Sequence, residues 1–179
     1  MDVYAAGMQW GEASAASLIA AAWDVRTQRI PNILTIPLLV GGLAAAGCTG
    51  GIVGFLDASA ACIVLALPYM ILFVLVGGGA GDAKLMGAIG TWVGLANGLI
   101  VLLSVLLAGA IWAVGAAVLR GRLRSLLADV VRIVVRIVAF GPASQGPIQQ
   151  QGGQEMPYGV AIAAGVCMAA TVVFACRAL

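Results

Sequence analysis

Two aspartates are spaced where their carboxyl groups could act as a pair. Asp82 ends the glycine-rich stretch Gly77-Gly78-Gly79-Ala80-Gly81 and is followed by Ala83 and Lys84, the only lysine in the chain. Asp24 closes the first apolar run, ahead of Arg26, Arg29 and the turn Ile30-Pro31-Asn32. An ionisable carboxyl delivered to a membrane by a glycine-rich break is costly and points to function. Glycine also lets the backbone bend and another chain approach closely, as a site handling an extended peptide requires. The same pattern fits an ordinary turn between membrane helices, with Asp82 a charge at the lipid border. The motif alone fits both readings.

The chemistry open to such a pair is specific. Two carboxyl groups sharing one proton do not both ionise readily. The protonated one polarises a carbonyl, and the ionised one takes a proton from water. An amide is then hydrolysed without a covalent intermediate, a histidine or a metal. Histidine is absent from the chain, which removes Ser-His and Cys-His triads and imidazole metal sites. Cys48, Cys62, Cys167 and Cys176 form no C-x-x-C pair, so no zinc ribbon or redox motif is expected, and no disulfide between Cys48 and Cys176 either. Two carboxylates with waters could hold Mg²⁺, but no phosphate-cradling loop accompanies them. A Ser-Lys site would need Ser104 beside Lys84; with a turn near Asn97-Gly98 the two fall on the order of 20 Å apart. The alternative use of the charges is as surface ion pairs, Asp24 with Arg26 or Arg29 and Asp82 with Lys84, each worth little.

The elements that position these residues are membrane helices. Of 179 residues, 63% are hydrophobic and 9% charged, with a mean hydropathy of +1.10; soluble domains carry about 25% charged residues. No stretch alternates like a barrel strand. The expected fold is a single all-α bundle over 1–179, a polytopic membrane protein with about six spans. These run over about 12–23, 33–47, 55–76, 83–95, from about 99 to 119, and 156–176, with uncharged turns at 48–54 and near Asn97-Gly98. Trp10 and Trp23 are expected as interfacial anchors, and Pro68 as a kink in the third span. Asp57 reads as a helix N-terminal charge and Tyr158 as an anchor. No removed signal peptide is expected at the start. Residues 120–138 carry five arginines (120, 122, 124, 132, 136) with apolar residues at helical spacing, an amphipathic helix in the membrane surface. Residues 141–155 read as a mobile linker.

Six spans with both termini outside place Arg26, Arg29, Lys84 and all five of those arginines on the cytoplasmic side, eight of the nine basic residues, as positive-inside orientation requires. Asp24 and Asp82 then lie at the same cytoplasmic border.

At this point the residues resemble a known family. Gly79-Ala80-Gly81-Asp82 followed by Ala83-Lys84-Leu85-Met86, with Ala88, Gly90, Trp92 and Gly94, is similar to the second active-site segment of the type IV prepilin peptidases, the GxGD membrane aspartyl proteases. Asp24 with Ile30-Pro31-Asn32 resembles their first segment, and Pro157-Tyr158-Gly159 a third. The resemblance implies that Asp24 and Asp82 are the catalytic pair of an endopeptidase. Gly79, Gly81 and Lys84 would form its substrate loop. It further implies removal of the basic leader from a prepilin, after a glycine, at the cytoplasmic face of the bacterial inner membrane. Larger members precede this with paired C-x-x-C motifs and also methylate the new pilin terminus. Here about eleven residues precede the first span, so the chain resembles the short Flp-type (tight-adherence) form. No cofactor, metal or nucleic-acid partner is expected; the partners are the prepilin helix and the bilayer. Two readings from other classes remain: a small cation-coupled transporter, with carboxylates along a path open to both faces, and a non-catalytic subunit of a pilus or secretion machine.

Overall fold

The computed structural model describes residues 3–27, 30–76, 79–121 and 158–178, with isolated positions 124, 127, 128, 130, 131 and 135. Its elements are α1 (Val3–Thr27), α2 (Asn32–Val76), α3 (Ala80–Leu119) and α4 (Tyr158–Ala178). Long runs of Ala, Leu, Val and Ile with few charges leave the backbone no partner but itself in lipid, which forces helix. Arg120 and Gly121 form the turn that ends α3, and the described positions beyond them are helical, with Leu127, Val130, Val131 and Val135 exposed. The rest of the expected surface helix, and all of the expected linker at 141–155, lie outside the described residues.

Three of the helices are long and apolar enough to cross a membrane: α2 over Asn32–Val74, α3, and α4 over Gly159–Cys176. The expected count of about six spans is therefore not supported; α1, alanine-rich and carrying Glu12 and Asp24, is not among the three. The difference arises at the expected turns. There the helices do not give way to loops but break at single glycines, Gly51 (φ 60°, ψ −148°) and Gly94 (φ 73°, ψ 175°). As a straight rod the 45 residues of α2 would extend about 68 Å, some twice the ~30 Å hydrocarbon core. Instead α2 doubles back. Gly54 lies against the carbonyl of Ala46, and Gly47 against Phe55, pairs that a straight helix would hold about 12 Å apart. α3 reverses too: Gly90 faces Ala61 and Gly87 faces Cys62, while Gly98, past the break, meets Leu65 again.

The first half of α3 is the centre of the molecule. Ala83, Leu85, Met86, Gly87, Ala88, Ile89, Gly90, Thr91 and Val93 are all buried, and α3 touches α1, α2 and α4. Burial on every side distinguishes a central helix from one with a single apolar stripe. Outward-facing positions such as Ile63, Leu67, Leu103 and Ile111 are exposed and apolar, a surface suited to lipid rather than water. Among the polar ties between helices, two lie beside the break in α3. The indole N–H of Trp92 donates to the Leu38 carbonyl at 2.8 Å. The N–H of Leu95 donates to Asp57 Oδ2 at 3.2 Å, so Asp57 caps the segment restarting after Gly94 rather than its own helix.

Other details depart from expectation. Trp10 is buried against Phe174, ring centroids 6.5 Å apart, instead of anchoring at the lipid border; Trp23 is exposed. The non-helical backbone of α2 falls at Gly51, not at Pro68. The side chain of Tyr158 lies outside the described residues. All four cysteines are free.

The close crossing of α3 over α2 gives a test. A Cβ at Gly90 would sit 2.8 Å from the Ala61 carbonyl oxygen and 2.9 Å from its carbon, backbone atoms that cannot rotate away. Gly90→Ala should cost about 1–3 kcal/mol, read as a lower unfolding midpoint in detergent. Gly115→Ala, whose Cβ would meet nothing within 4 Å, should be neutral or stabilising by up to about 1 kcal/mol.

Candidate active site

Asp24 stands in the last turns of α1, in a helix whose inward face is alanine: Ala13, Ala16, Ala20 and Ala21 are buried. Small side chains let α4 approach closely, and Asp24 is carried into that contact, where only 7% of its surface remains exposed. A carboxyl is seldom buried so far without a partner. Its partner is the first turn of α4: the N–H of Gly159 donates to Asp24 Oδ2 at 2.9 Å. Helix N-terminal N–H groups have no acceptor within their own helix, so both groups gain.

Asp82 lies in the first turn of α3. Gly79 starts that helix with φ 92°, a left-handed conformation that glycine adopts without strain, and its carbonyl accepts from the Ala83 N–H at 3.1 Å. A side chain on Gly79 would press on Asp82 Oδ2, 3.3 Å from the Cβ position. Asp82 is half-buried. It and Asp24 lie within electrostatic range of each other.

The turn after α1 completes the cluster. Ile30 packs on Gly81, its Cβ 3.2 Å from where a Gly81 side chain would begin. Lys84 Nζ donates to Asn32 Oδ1 at 3.1 Å. The Pro31 carbonyl accepts from the N–H groups of Leu34 and Thr35 at 3.1 and 3.4 Å, which sets the turn as α2 begins. Three stretches far apart in sequence, around residues 24–32, 79–84 and 159, thus meet at one end of the bundle.

The five singled-out residues fare differently. Asp24 and Asp82 are brought together. Gly79 makes room for the Asp82 carboxyl, and the bare face of Gly81, expected to receive an extended substrate, is occupied by Ile30. Lys84 is exposed and engaged with Asn32. With α3 breaking at Gly94, depth no longer separates Lys84 from Ser104 as expected. Exposure does, because Ser104 is buried while Lys84 faces outward. Sequence reasoning did not find Asn32 as the partner of Lys84 or Gly159 as the donor to Asp24. The only signal for the second was the Pro157-Tyr158-Gly159 element at the head of the last helix. Among the described residues no group of three or more Cys, Asp or Glu is placed to hold a metal ion.

The arrangement offers two neighbouring carboxyl groups, one buried with a backbone donor and one half-exposed, at the edge of an apolar bundle. No curated protein and no solved structure matches the chain. The sequence profile of the type IV leader peptidase family does, over residues 13–114, more than half the chain and a span that includes both aspartates. The protein is a membrane-type helical protein of that peptidase family: it belongs to the type IV leader peptidases.

Proposed function

We propose that the protein is an aspartic endopeptidase that removes the basic leader from Flp-like type IV prepilins at the cytoplasmic face of the bacterial inner membrane. Asp24 and Asp82 would be its catalytic pair. The observation that carries this reading is the nearness of the two carboxyl groups, close enough to influence each other at one end of the bundle, where a pair of acids can activate a water. The chain has no histidine, and Lys84 is turned to Asn32. The basic residues support the cytoplasmic side: Arg26, Arg29 and Lys84 flank the pair in sequence, and positive charge favours that face. The same arginines and lysine would favour anionic lipid near the site.

In this mechanism the prepilin helix lies beside the bundle, and the stretch around its cleavage glycine is extended at the pair. Water attacks the scissile carbonyl carbon; its proton passes to Asp24 while Asp82 gives its proton to the carbonyl oxygen. The tetrahedral diol then collapses. The C–N bond breaks, the leaving amine takes the proton held by Asp24, and a diol hydroxyl returns one to Asp82. Both aspartates end as they began. Lys84 acts by tying the Asn32 turn to the helix of Asp82, since its ammonium is already bonded there.

A cation path, the alternative from another class, would need ionisable groups continuing through the bundle. Of the other described carboxylates within helices, Asp57 is engaged with the Leu95 N–H and Glu12 is exposed.

Co-expression with a candidate prepilin, scoring leader removal, tests the reading. Asp24→Asn and Asp82→Asn should each abolish processing while the protein still accumulates in the membrane; processing near the wild-type level by either variant would overturn the paired-aspartate mechanism. Lys84→Met should retain activity, reduced by less than about tenfold, because an exposed hydrogen bond contributes about 1 kcal/mol. Abolition of processing by Lys84→Met would instead assign its charge to the chemistry itself.

A further inference from the structure

We propose that Gly159 is a positioning residue for Asp24, a role that rests on the peptidase reading above. Gly159 lies outside residues 13–114, the part of the chain that the family profile covers. Its N–H reaches Asp24 Oδ2 at 2.9 Å in a buried contact between segments 135 residues apart. An oxygen that accepts an N–H is committed to that donor, and the carboxyl plane is fixed by it. Oδ1 is then the oxygen left to take the proton from water. A carboxyl free to turn about its last bond would present either oxygen, or neither, at the required angle, and such small losses of alignment reduce rates steeply.

A side chain at this position would force its neighbours to move. A Cβ at residue 159 would lie 3.0 Å from both Cβ and Oδ2 of Asp24 and 3.3 Å from Cα of Ala21. The last is backbone and cannot give way by rotation, so the added atom must push Asp24 or lift α4. The surrounding seam between α1 and α4 includes the buried Ala21 of α1, with Gly159 of α4 lying close to its Cα. That seam is what brings a helix N-terminus within hydrogen-bonding distance of a carboxyl in the neighbouring helix. The end of a helix also favours a carboxylate near its N–H groups, which suits the group assigned to receive a proton. By contrast, Asp82 receives no hydrogen bond from the described residues.

Two measurements test the proposal, one independent of activity. Tyr158-Gly159 is the only Tyr-Gly pair in the chain, so carbonyl-labelled tyrosine with nitrogen-labelled glycine yields a single amide resonance in the wild-type protein. That resonance should move when Asp24→Asn replaces the carboxylate acceptor; an unmoved resonance overturns the proposal, whether or not the protein is a peptidase. In kinetics with a prepilin peptide, given an active wild type, Gly159→Ala should lower kcat about a hundredfold. KM should stay within about twofold, the pattern of a change that spares substrate binding. An unchanged kcat, or a loss confined to KM, overturns it. Should Gly159→Ala fail to accumulate, the amide resonance alone decides.

Discussion

The structure depends on placing a carboxyl group inside an apolar helix contact. Burying a charge-bearing group unpaired is costly, and a bundle made of Ala, Val, Leu and Gly has few groups with which to meet it. Here the cost is met by geometry. The alanine face of α1 admits α4 so closely that a backbone N–H, left over by helix geometry, reaches Asp24. Asp82 is held differently. The helix segment that follows it is buried on all sides from Leu85 to Thr91, which fixes its first turn against α1. Among the described residues, both acids are placed by the packing of their helices, Asp24 with the Gly159 N–H on one of its oxygens.

Glycine serves this end in distinct ways. At Gly51 and Gly94 it reverses long helices, so that a short chain folds around one central segment. At Gly90 it allows α3 to lie on the backbone of α2. At Gly79, Gly81 and Gly159 the absence of a side chain leaves space for the Asp82 carboxyl, for Ile30 and for Asp24. The same residue type thus shapes both the fold and the site, and among the described residues the polar ties between helices are few: Gly159 to Asp24, Trp92 to Leu38, Leu95 to Asp57, Lys84 to Asn32.

Much of this was readable from the sequence because membrane composition leaves little choice of secondary structure. The all-helical class, the turn region containing Gly51 and the nearness of Asp24 to Asp82 follow from hydropathy, glycine placement and charge placement. What was missed depends on tertiary packing. Hydropathy locates a break in a helix only to within a few residues, so Gly94 was overlooked in favour of Asn97-Gly98. Trp10 carries the signature of an interfacial anchor, yet packing against Phe174 buries it. Asp57 looks like a local cap, but its acceptor oxygen serves Leu95 on another helix. The span count differs because α2 and α3 each turn at a single glycine with no intervening loop, so that two stretches expected as separate spans form one broken helix. Gly81 looked like a place for substrate because sequence shows a missing side chain but not what fills the space.

The central claim is that Asp24 and Asp82 share one site, and cross-linking in intact membranes tests it most directly. With the four native cysteines replaced, Asp24→Cys and Asp82→Cys are combined and treated with a short bifunctional thiol reagent, and the internal link is read by mass after proteolysis. The structure predicts an efficient link between the two introduced thiols. Thiols that each react singly but never join would contradict it.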